Sequence, residues 1–124
     1  MGSAVRHASV TEENLKGAQE ELKNGRFSNV GLLSLRALEQ MIEACAAKEN
    51  LHFHEHPRTA HRNRRDWLKA HHPDLLEIWD QLWGIYGALG YGGLDGERAE
   101  QAVAILKKCL IELSGREKIA VKGL

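Results

Sequence analysis

Cysteine and proline are scarce in this chain, two of each in 124 residues. Cys45 and Cys109 each fall on the apolar stripe of an expected helix. Disulfide staples are therefore not expected, and two reduced core thiols suit a cytoplasmic protein. No apolar run approaches the roughly 20 residues that span a bilayer, so no membrane partner is expected. The opening "MGSAVRHASV" has no hydrophobic segment of the secretory kind, and Met1-Gly2-Ser3 suits a cloning remnant as well as a native start. Net charge is missing too: 17 basic residues cancel 17 acidic ones, so the chain as a whole does not advertise affinity for nucleic acid. Chemical signatures are equally sparse. Ser28, Ser34 and Ser114 lack triad surroundings, no carboxylate pair stands out, and there is no GK[ST]. Asp95 occupies the place where a GxGxxG from Gly90 needs glycine. No cofactor is expected.

What is present is helical periodicity, with no strand-type alternation and no internal repeat. The length is that of one domain over residues 1–124, with a core from about 10 to 114 and short flexible ends. A first helix is expected from about Thr11 to Asn24, capped by Ser9 or Thr11 and stopped at Asn24-Gly25. The second starts near Ser28 or Asn29 and reaches about Lys48. Its wide stripe of Val30, Leu33, Leu35, Ala37, Leu38, Met41, Ile42 and Cys45 marks the central core helix, with Arg36, Glu39, Gln40 and Glu43 toward the other side. Thr59 can cap a third helix, which ends before His72 because the residue preceding Pro73 is pushed away from helical angles. Pro73-Asp74 opens an aromatic fourth helix carrying Trp79, Trp83 and Tyr86, followed by the glycine-rich "GIYGALGYGGLDG". Asp95 caps the last helix, which Ser114-Gly115 ends. The expected architecture is all-α, an up-and-down antiparallel bundle of four to five helices.

One stretch breaks the ordinary composition: "LHFHEHPRTAHRNRR", residues 51 to 65, with four histidines and four arginines. On an extended backbone His52, His54 and His56 share one side and can hold zinc, with His61 or Glu55 nearby. Two observations weigh against this. "HEHPR" fails the helical HExxH pattern, and the arginines disfavour a dication. On the third helix Arg58, Arg62, Arg65 and Lys69 fall in a narrow sector, a basic stripe that can contact phosphates. The alternative is a solvated face paired with acids such as Glu77 or Asp80 of the next helix.

The order of features then resembles a known family. A weak helix leads through "KNGRFSNVGLLSLRALEQMIEAC" into a long alanine- and leucine-rich helix. A histidine-bearing loop, a helix, an aromatic helix, a Tyr-centred turn and "GERAEQAVAILKKCLIEL" follow. Over roughly residues 10 to 114 this resembles the HEPN superfamily (higher eukaryotes and prokaryotes nucleotide-binding). The resemblance implies a helical bundle that is often a homodimer, found beside small nucleotidyltransferases in prokaryotic defence or toxin–antitoxin modules. It also implies, for many members, metal-independent ribonuclease action through R-x4-6-H. The matching stretch here is "IYGALGYGG", where Tyr86 replaces the arginine and Tyr91 the histidine. Tyrosine titrates near about pH 10 and cannot grip phosphate as guanidinium does, so the nuclease chemistry looks lost at that position. Alternative R-x5-H and R-x6-H spacings run from Arg65 to His71, from Arg64 to His71 and from Arg65 to His72.

The leading expectation is a non-catalytic HEPN-like module that engages a nucleotide, RNA or a partner nucleotidyltransferase. Arg58, Arg62, Arg65 and Lys69 would hold phosphate, His56 and His61 would adjust charge, and Tyr86 and Tyr91 would stack a base or line a dimer interface. The alternatives are a ribonuclease using Arg65 and His71, and an interaction bundle that buries Trp79, Trp83 and the glycine-rich face against a partner.

Overall fold

The computed structural model describes residues 2–92 and 95–124. Five α-helices pack as a bundle: α1 (Gly2–Lys23), α2 (Phe27–Ala47), α3 (Ala60–His71), α4 (Leu76–Gly92) and α5 (Gly96–Glu117). Short 3₁₀ turns at Phe53–Glu55 and Pro73–Leu75 precede α3 and α4. No described helix is long and apolar enough to cross a membrane.

The first helix starts well before Thr11. Ala4, Ala8, Thr11, Leu15, Ala18 and Leu22 continue one stripe at helical spacing, and Ala8, Thr11, Leu15 and Ala18 are buried along it. Thr11 is therefore an interior residue, not a cap. Its hydroxyl donates to the carbonyl of His7 one turn back at 2.9 Å. This extension brings His7 into the bundle.

The centre is α2, which packs against α1, α4 and α5. Surrounded in this way, it is buried continuously from Met41 to Ala47, Glu43 included. The expectation that Glu43 faces outward is thus corrected: a helix with neighbours on most sides has no outward face at its C-terminal half. Each fully buried leucine, such as Leu38, Leu82 or Leu106, contributes about 1.5–3 kcal/mol through removal from water. The two thiols, Cys45 and Cys109, are buried and unpaired, and burial pushes both up to about 12. They are inert core groups.

The glycines of α4 do not end it; Gly84, Gly87 and Gly90 all lie within the helix. The close approach of backbones is made instead by Gly31 of α2, where a Cβ would stand 3.3 Å from Leu89 and 3.4 Å from the Tyr86 backbone. Gly93 and Leu94 lie outside the described residues.

Three helix ends share one device. At α1, Gly25 at φ 75° lets Arg26 N–H reach the Glu21 carbonyl and Gly25 N–H reach that of Leu22. Asn50 (φ 59°) does the same for α2 and Lys118 (φ 56°) for α5. So α5 runs past Ser114-Gly115 to Glu117, and the tail folds back to bury Ile119, whose carbonyl accepts from the Ser114 hydroxyl at 2.6 Å. At its start α5 is capped as expected, with the Asp95 carboxylate accepting from Arg98 N–H at 3.1 Å. His72 is non-helical (φ −143°, ψ 66°), as its place before Pro73 requires.

Candidate functional site

Arg58 lies in the turn before α3, not on the helix as the stripe requires, and the basic residues of this turn and helix divide into two groups. Arg65 lies bidentate on Asp80 of α4, with Nε and Nη2 each 3.0 Å from a carboxylate oxygen. That contact holds the Asp80 carboxyl below its ordinary value. Arg64 turns inward: its Nε donates to Glu43 Oε2 at 2.8 Å and its Nη1 to Glu39 Oε2 at 3.4 Å. Arg58, Arg62 and Lys69 stay exposed and form no ion pair among the described residues. The sequence offers Arg65 either as a phosphate contact or as the partner of an acid such as Asp80, and the second alternative holds for it. Of the expected phosphate contacts this leaves Arg58, Arg62 and Lys69.

Aromatic rings line the junction of α3 with α4. His61 stacks on Trp79 at 5.5 Å between centroids and meets Trp83 edge-on at 4.2 Å. Tyr86 continues the row, edge to Trp83 at 5.6 Å. Burial, then the nearby Arg64 and Arg65, lower His61 below its ordinary value. Both effects favour the uncharged ring, which presents an aromatic face at this junction. Tyr91, 97% exposed, stands alone beyond this row. Five residues along one helix place Tyr86 and Tyr91 on different sides, so they do not face a common ligand.

Arg65 and His71 do not converge either. His71 stacks on Trp67 with centroids 4.4 Å apart, its Nδ1 is 2.9 Å from the Trp67 carbonyl, and its Nε2 is 3.2 Å from Glu49. Its neighbour His72 is buried 2.6 Å from Glu117, which also meets Lys48 at 2.9 Å. Burial pushes the Glu117 carboxyl up, but hydrogen bonds from Lys48 and His72 outweigh it and hold the group below its usual range. Arg116 beside them is bidentate to Asp74 and reaches Glu112 at 2.9 Å. These contacts fasten the end of α5 to α2 and to the turn before α4.

The loop histidines do not line one side because the 3₁₀ turn at Phe53–Glu55 replaces the extended backbone on which they would alternate, although the His52 and His54 rings stay 6.0 Å apart, edge to face. His52 turns to Asn50 at 3.1 Å and His56 stays exposed. Only His54 of the three returns to the bundle, with Nδ1 3.1 Å from Glu43 Oε1. The His7 ring lies 4.9 Å from that of His54, and His7 Nδ1 is 2.7 Å from Gln40 Oε1. Among the described residues, one group of three has ligand atoms close enough to share a metal ion: His7, Glu43 and His54, all within 4.8 Å of one another. Burial pushes Glu39 above its ordinary value, and Arg64 opposes this.

Neither His7 nor Glu43 stands out as a candidate in the sequence. A signal for Glu43 was there, a single carboxylate inside the apolar run "MIEACAA". For His7 there was little, since the α1 stripe continues before Thr11 only through Ala4 and Ala8. A groove of about 670 Å³ also opens beside α1, lined by Val5, Ala8, Ala47, Lys48, Ile119 and Lys122 among others. None of the residues expected to bind falls in it. Compared with protein-family models, with curated proteins and with solved structures, the chain matches none.

Proposed function

We propose that this protein is a non-catalytic binding module for single-stranded RNA, gripping phosphates with Arg58, Arg62 and Lys69 and stacking bases on the row formed by His61, Trp83 and Tyr86. The observation that carries the reading is the division of the arginines. Arg64 is taken up by the buried Glu43 and Arg65 by Asp80 at the surface, while Arg58 and Arg62 stay exposed, with no ion pair among the described residues. Cations next to stacking rings are what a flexible, sequence-tolerant strand needs. Lys69 stands seven residues beyond Arg62, about 10 Å along the helix, so the cations can meet separate phosphates. The reading agrees with the resemblance to HEPN proteins and makes no use of Arg65 and His71, whose side chains are held by different elements.

The test is titration of labelled single-stranded RNA into the full chain at two salt concentrations, with gel inspection for cleavage. Three phosphate contacts give a log–log salt slope of about −2, or about twentyfold weaker binding between 50 and 200 mM salt. Replacing Arg58, Arg62 and Lys69 with alanine together should abolish that slope, while Arg65→Ala leaves it intact. Absence of binding, or affinity indifferent to salt, would turn the reading toward a bundle that docks a protein partner. Cleavage lost on His71→Ala would make the protein a ribonuclease instead.

A further inference from the structure

We propose that His7, His54 and Glu43 form a zinc site that ties the start of α1 and the 3₁₀ turn to the centre of α2. It stands apart from the RNA reading, which uses none of these residues.

The donor set suits the ion. Two imidazoles and one carboxylate select a borderline cation over calcium or magnesium, which prefer oxygen cages. Two ligands of a tetrahedral zinc, each about 2.0–2.1 Å from it, stand roughly 3.3 Å apart. His54 Nδ1 and Glu43 Oε1 are 3.1 Å apart, close to such an edge. Zinc would replace the proton between them, and His54 would carry its remaining proton on Nε2. His54 is exposed and His7 half-buried, so a cation can enter from solvent and water can complete the coordination.

The surrounding residues are those that orient metal ligands. Gln40 Oε1 accepts from His7 Nδ1 at 2.7 Å, which places the proton there and the lone pair on Nε2. Arg64 Nε donates to Glu43 Oε2 at 2.8 Å and leaves Oε1 for the ion. The objection from sequence, that four arginines repel a dication, loses its force in three dimensions. Arg64 faces two carboxylates, Arg65 faces Asp80, and Arg58 and Arg62 point to solvent.

Calorimetric titration of the full chain with Zn²⁺ tests the site, with Co²⁺ as a visible-absorbing stand-in. One equivalent should bind, and Co²⁺ should give the intense absorption of a tetrahedral centre. His7→Ala and His54→Ala should each weaken binding by more than about tenfold, and Gln40→Leu, which frees the His7 ring, by roughly tenfold. His52→Ala and His56→Ala should leave affinity unchanged. Because Glu43 is fully buried and its replacement threatens folding, circular dichroism accompanies every variant and the histidine variants carry the conclusion. Zinc should also raise the Tm of the wild type, reversibly with EDTA, and fail to do so for His7→Ala. No saturable binding would overturn the proposal. So would binding that survives His7→Ala, or that is lost in His52→Ala and His56→Ala, which would assign the ion to the loop alone.

Discussion

Glu43 is fully buried, and its neighbours decide whether that burial is tolerated. Arg64, whose side chain is only 12% exposed, supplies both a hydrogen bond and a countercharge, and His54 holds the other carboxylate oxygen. An isolated ionised carboxylate in such a place is expensive, whereas a paired and hydrogen-bonded one is not. Arg64→Ala should therefore lower stability by about 3–5 kcal/mol in urea denaturation, far beyond the usual cost of removing a helix arginine. Adding Glu43→Met to an Arg64→Met background should recover most of the loss, because no charge is then stranded. A loss below about 1 kcal/mol would show that Glu43 has other support. At this scale the sequence was least legible. It set Arg65 in the basic stripe with Asp80 as a possible partner, but left Arg64 out of that stripe, and only the position of α2 sent Arg64 inward to Glu43. The loss of the shared side expected for His52, His54 and His56 likewise followed from one 3₁₀ turn that composition does not announce.

Among the helices, starts and stops were partly legible. Asp95 and the His72-Pro73 corner behave as their chemistry dictates, and Asn24-Gly25 ends α1 through the left-handed glycine. The extent of α1 was not legible because its first turns pack alanines, which carry little signal of periodicity. The end of α5 was misplaced for a related reason. Gly115 can terminate a helix, but the tail gains more by burying Ile119, so the left-handed residue becomes Lys118. Lysine in that conformation brings a steric cost that glycine lacks. Lys118→Gly should therefore raise stability by up to about 1 kcal/mol, visible as a higher Tm with unchanged helix content. A lowered Tm would mean that the lysine stem contributes packing that outweighs its backbone strain.

For the whole molecule, fold class followed directly from period and composition. The placement of five helices around α2 did not, because similar stripes permit several neighbours. Global charge balance also sets how the bundle meets acid. Hydrogen bonding to Arg116 holds the Asp74 carboxyl at about 2, and Arg65 lowers Asp80 in the same way. A carboxyl lowered on folding stabilises the native state above its unfolded value near 3.8 and loses that contribution as pH falls toward about 2. Glu39, raised by burial, acts in the opposite sense. Tm measured from pH 7 downward should hold steady to about pH 5 and then fall, less steeply in Arg116→Gln or in high salt, since these pairs are exposed and screened. An identical acid limb in wild type and Arg116→Gln would sink this account.

The Arg64–Glu43 pair also acts as an alignment key. α3 is short and buries only Ala60, Trp67 and Leu68, so apolar contact alone would let it slide along the bundle at modest cost. A slip of one turn, about 5.4 Å, would carry the guanidinium away from both Glu43 and Glu39 and leave a naked charge in the core. Of all the positions α3 can take, the buried carboxylate accepts one, and that choice fixes where His61 and Arg62 stand on the surface.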